Sequence, residues 1–98
     1  MNELRHVVVR GRVQGVGFRA WAEHAALCRG LEGWVRNRRD GAVEAVFAGP
    51  PAAVAEMIAA CGRGPPGALV DATEEREGTE ADLGPRRPGE RFSVLTTV

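Results

Sequence analysis

Ninety-eight residues, 44% of them apolar and 27% charged, supply one modest hydrophobic core and not two, so a single domain over residues 1–98 is expected. No apolar run reaches membrane-spanning length and the first residues lack the pattern of a secretory signal. Membrane partners are therefore excluded from the reading, and the cytoplasm is the expected location. The formal charge is zero, but residues 1–39 carry eight arginines against Glu3, Glu23 and Glu32, whereas residues 71–82 carry six acidic residues against Arg76 alone. A basic first half suits an anionic ligand.

Residues 4–10 read as a first strand, with Val7 and Val9 on one face and His6 and Val8 on the other. Residues 18–29 read as a helix, because Phe18, Trp21, Ala22, Ala25 and Cys28 fall at helical spacing and Gly30 supplies a stop. Leu31 to Arg38 is a second strand in which Leu31, Gly33, Val35 and Asn37 share a face. Arg39-Asp40-Gly41 then makes a hairpin turn, the Asp-Gly pair being its signal. Ala42 to Ala48 returns, with Val43, Ala45 and Phe47 inward and Glu44 outward. Gly49-Pro50-Pro51 opens a second helix, striped by Val54, Met57, Ile58 and Cys61 and ended by Gly62 to Gly67. Ala68 to Arg76 is a fourth strand. The polar, Gly- and Pro-rich residues 77–90 read as a mobile loop, and Arg91 to Thr97 as a short edge strand. Cys28 and Cys61, both among alanines, are expected as buried, reduced thiols without metal-ligand spacing.

Between the first strand and the first helix lies R-G-R-V-Q-G-V-G-F-R, Arg10 to Arg19. Glycines allow backbone φ above zero, so several N–H groups can converge on one point. The helix N-terminus adds free N–H groups and partial positive charge, and Arg19 adds a planar fork of donors. Together the glycine loop, the helix N-terminus and Arg19 form a cradle for a phosphate-sized anion. Neither a Walker ending nor G-x-G-x-x-G is present, so a nucleotide triphosphate is not the expected ligand.

The order β-α-β-β-α-β plus a short terminal strand is the α+β, ferredoxin-like plan, an antiparallel sheet with two helices on one face. In that plan the first two strands run the same way, separated by the third. Asn37, near the end of the second, therefore lies beside the glycine loop that follows the first.

With both segments placed, the chain closely resembles the acylphosphatases. The resemblance rests on G-R-V-Q-G-V-G-F-R (Gly11 to Arg19) and G-W-V-R-N-R-R-D-G-A-V-E (Gly33 to Glu44), with weaker echoes at Gly49-Pro50-Pro51 and Gly64 to Ala68. It implies hydrolysis of carboxyl-phosphate anhydrides to carboxylate and inorganic phosphate, without a metal or other cofactor. It also implies that Arg19 binds the phosphate, that Asn37 orients the attacking water, and that the backbone N–H groups of Val13 to Phe18 hold phosphate oxygens. The partner is then a small acyl phosphate, with inorganic phosphate or sulfate able to occupy the loop, and nothing demands more than a monomer. Two positions depart from the family pattern: Arg38 and Ala42 stand where hydroxyl residues are common. A second-layer hydroxyl near Asn37 is thus missing or replaced from elsewhere.

Two rival readings share this fold. An RNA-binding sheet needs outward aromatic residues, but the outward positions of the central strands are His6, Val8, Arg10, Glu44 and Val46. No nucleic-acid partner is expected. A non-catalytic phosphate-binding domain, or one that handles carbamoyl phosphate within a larger machine, is the alternative to a free-standing enzyme.

Overall fold

Alternating apolar residues flanking a glycine loop produce the expected strand and helix in the computed structural model, which describes residues 2–98. In chain order the elements are β1 (Glu3–Arg12), α1 (Phe18–Cys28), β2 (Glu32–Asn37), β3 (Val43–Gly49), α2 (Pro51–Cys61), β4 (Leu69–Glu77) and β5 (Phe92–Val94). They build one five-stranded sheet in the order β4-β1-β3-β2-β5. β1 runs antiparallel to β3 and β4, and β2 antiparallel to β3, so β1 and β2 point the same way with β3 between them. The expected antiparallel sheet holds for these four strands. β5 joins β2 in parallel, through Gly33 beside Phe92 and Val35 beside Val94, which makes the sheet mixed.

One face carries the main core. Val7, Val9, Val35, Val43, Ala45 and Phe47 from the sheet meet Phe18, Ala22, Ala26, Val54, Met57 and Cys61 from the two helices. Burying each such large apolar side chain stabilises the fold by roughly 1.5–3 kcal/mol before entropy is counted. α1 starts where Gly17 takes a left-handed conformation (φ 78°), and α2 starts at a proline, which loses no hydrogen bond in a first turn.

The opposite face is not bare. Residues 77–90, expected as a mobile loop, cross it from the β4 edge to the β5 edge. A 3-10 turn at Glu80–Leu83 is capped reciprocally by Thr79 and Asp82, and Leu83 packs on Trp34, Val46 and Ala48. The Trp34 indole N–H donates to the Asp82 carbonyl at 2.6 Å. One leucine in a polar stretch, set opposite a tryptophan, is enough to order the crossing. A second expectation also fails: Cys61 is buried, but Cys28 is exposed. Its position falls at the rim of the helix's apolar stripe, where the sheet has ended. No helix among the described residues is long and apolar enough to cross a membrane.

Candidate active site

The parallel run of β1 and β2 brings the glycine loop and Asn37 to one edge of the sheet, where they open onto a cleft of about 510 Å³. Gly15 and Gly17 have φ of 74° and 78°, and a Cβ at either would meet nothing within 4 Å. It is thus the left-handed backbone, not crowding, that calls for glycine at these two positions. Among the described residues, the backbone N–H groups from Gln14 to Ala20 find no protein acceptor, and the first one to do so is Trp21, bonded to the Gly17 carbonyl. A run of free donors at a helix start is the physical basis of anion binding there.

Arg19 sits in the first turn of α1, half-buried, and lines the cleft. Its Nη1 makes one long contact, 3.4 Å, to the Leu95 carbonyl. No carboxylate among the described residues forms an ion pair with it. Asn37 ends β2 and lines the same cleft, and its backbone carbonyl accepts from the Val98 N–H at 3.1 Å. Val13, Gln14, Gly15, Gly17 and Phe18 also line it. Val16 does not: its side chain packs against the main core, leaving only its N–H for the loop.

Gln14 contributes more than its backbone. Its Nε2 donates to the carbonyls of Arg38 and Ala42, at 2.7 and 2.8 Å. The two carbonyls flank the hairpin that follows Asn37, so one side chain ties the glycine loop to the strand end. The Ala42 carbonyl also takes the Arg38 N–H at 2.8 Å. Where Arg38 and Ala42 lack hydroxyls, the hairpin is held by this amide and by Asp40, whose carboxylate accepts from the Ala42 N–H and pairs with Arg38 at 2.9 Å. Those two partners, the Ala42 N–H foremost, hold the Asp40 carboxyl below its ordinary value. The remaining wall escaped the sequence reading. Ala20 and Glu23 come from α1, and Arg87, Glu90 and Val94 from the crossing segment and β5. Glu23, four residues beyond Arg19, was findable from helical periodicity; nothing local marked Arg87 or Glu90.

The family profile of the acylphosphatases matches residues 5–92. The chain belongs to the acylphosphatase family. An acylphosphatase of Bradyrhizobium diazoefficiens is 59% identical over 97% of this chain and 96% of its own length. The crystal structure of the acylphosphatase from Bacillus subtilis superposes with a TM-score of 0.81 at 36% identity, covering 97% of this chain and 99% of that one. The ferredoxin-like α+β fold is thus shared with solved acylphosphatases, and the chain is a hydrolase acting on small acyl phosphates. Full-length HypF, crystallised with phosphate and nucleotide bound, shares the fold alone: the TM-score is 0.83 at 22% identity, over 99% of this acylphosphatase but 12% of HypF.

Proposed function

We propose that this acylphosphatase works as a single-domain, cytoplasmic, monomeric enzyme in which Arg19 and the loop N–H groups of Val13 to Phe18 hold the phosphoryl group and Asn37 aims the water. The observation that carries the reading is that a loop whose N–H groups from Gln14 to Ala20 lack protein acceptors, the unpaired Arg19 and Asn37 line one cleft. Inorganic phosphate, the product, fits the same cradle.

An acyl phosphate is already activated, so positioning and charge stabilisation carry most of the catalysis. Arg19 would take two phosphoryl oxygens in a bidentate fork while the loop takes the others. The Asn37 carbonyl accepts from the water and directs its oxygen at phosphorus. The new P–O bond forms as the bond to the carboxyl oxygen breaks, and the carboxylate leaves with the electron pair. The water's proton passes to a phosphoryl oxygen, since an amide cannot take it. No step calls on a metal or cofactor.

The test is benzoyl phosphate hydrolysis, followed by ultraviolet absorbance with EDTA present. Arg19→Ala is expected to lose most activity and phosphate affinity, because no lysine exists to substitute. Asn37→Ala is expected to lose about 10²-fold in kcat, the scale of a misplaced reacting group, with phosphate still bound. Near-normal turnover by either variant, or wild-type activity abolished by EDTA, would overturn the assignment.

A further inference from the structure

The cleft is larger than its phosphate end requires. At about 510 Å³ it falls among sites that hold whole small organic ligands, roughly 300–1,000 Å³. With Arg19, Asn37 and the glycine loop engaged by the phosphoryl group, the acyl group is left with the wall built by Ala20, Glu23, Arg87, Glu90 and Val94. Arg87 is the one cation of that wall.

Its neighbours orient this arginine without consuming it. Nη1 donates to the Val94 carbonyl at 2.7 Å, and the backbone N–H donates to Ser93 Oγ at 3.0 Å. The Glu90 Oε1 atom forms an ion pair with Nη1 at 3.6 Å, longer than a hydrogen bond, and accepts the Ser93 hydroxyl at 2.6 Å. Nε and Nη2 have no partner among the described residues. A guanidinium with one nitrogen anchored and the rest of its fork free matches a carboxylate or phosphate.

Resting on the placement of the phosphoryl group proposed above, we propose that Arg87 determines specificity at the acyl end: it recognises a second anionic group, a carboxylate or phosphate, carried by the acyl part of the substrate. Glu23 and Glu90 place two carboxylates on the same wall, so an acyl anion is accepted only where Arg87 reaches it. Discrimination then has an attractive and a repulsive component.

The experiment compares 4-carboxybenzoyl phosphate with benzoyl phosphate, a pair that shares ring and anhydride and differs in one carboxylate. The quantity read is the ratio of their kcat/KM values. Arg87→Ala is expected to lower that ratio about fivefold, the size of one half-exposed ion pair, and Arg87→Lys to restore part of it. Glu90→Gln keeps an oxygen for the Ser93 hydroxyl and removes the opposing charge, so the ratio should rise about twofold. A ratio unmoved by Arg87→Ala, including an equal loss on both substrates, would overturn the proposal, as would a ratio that Glu90→Gln fails to raise. Failure of the underlying placement is distinguishable, because benzoyl phosphate turnover itself would then survive Arg19→Ala.

Discussion

Gln14 bridges the loop and the hairpin with one side chain, and the consequence is a coupling between stability and turnover. Gln14→Ala removes two hydrogen bonds, to the Arg38 and Ala42 carbonyls; each carbonyl keeps one backbone donor, the Gly41 N–H on Arg38 and the Arg38 N–H on Ala42. A loss of about 1–3 kcal/mol in unfolding free energy is expected. Because the loop and the end of β2 then relax separately, kcat should fall by about tenfold or more, while the KM changes less. Gln14→Glu sharpens the test: at neutral pH its carboxylate would face two carbonyl oxygens, so it should be less stable than the alanine variant and recover as the carboxyl protonates in acid. Denaturation and steady-state kinetics on both variants check this ordering, and equal behaviour of the two would refute the clamp. The sequence pattern marks Gln14 as a backbone donor only. A glutamine's reach across a loop depends on where the hairpin lies, which no local pattern encodes.

At the scale of elements, the face of the sheet away from the helices is organised by cross-strand pairs. Arg36 on β2 lies directly opposite Glu44 on β3, and its Nε donates to Glu44 Oε1 at 2.8 Å. His6, on β1 diagonal to Glu44 and two residues from its direct partner Val8, meets Glu44 Oε2 at 2.7 Å. Arg36 also lies over the Trp34 ring at 4.5 Å. Burial pushes the Glu44 carboxyl up, but the bonds from His6 and Arg36 outweigh it and leave it below its ordinary value of 4.5. A carboxyl depressed in the folded state contributes stability that is complete above its unfolded value and is lost as pH falls through the folded one. The urea midpoint is therefore expected to drop below about pH 4.5, and Glu44→Gln to lower the midpoint at pH 7 while flattening that acid limb. An unchanged acid limb in the variant would assign the loss to other carboxylates. The alternation of His6, Val8, Glu44 and Val46 to the face away from the helices was legible from period-two patterning; which of them pair was decided by register.

At the scale of the whole molecule, the crossing segment makes a sheet with one helical layer into a sheet covered on both faces. Its anchors are Leu83 on Trp34 and the Asp82 carbonyl on the indole N–H. If the segment is part of the cooperative unit, Leu83→Ala should lower the unfolding free energy by about 2 kcal/mol in a single transition. A variant with an unchanged midpoint would mean the crossing melts independently of the sheet. The composition of residues 77–90, Gly, Pro and charge, does not signal this order, because composition measures what a segment can bury by itself. The surface that Leu83 covers belongs to other strands.

Legible in the sequence alone were the element order, the inward faces of the first three strands and of both helices apart from Cys28, and the two motifs of the acylphosphatases, Gly11 to Arg19 and Gly33 to Glu44. These are local or periodic properties, set by side-chain spacing against the 2.0- and 3.6-residue repeats and by glycine's access to positive φ. Arg19 and Asn37 were also within reach, because the ferredoxin-like plan puts the ends of β1 and β2 at one edge. The Gln14 clamp, the parallel seat of β5, the exposed side of Cys28, and the wall that carries Arg87 and Glu90 emerge from the folded arrangement alone. Each depends on how far separate segments travel before they meet, and contacts between residues dozens of positions apart follow from packing geometry rather than from any pattern within either segment.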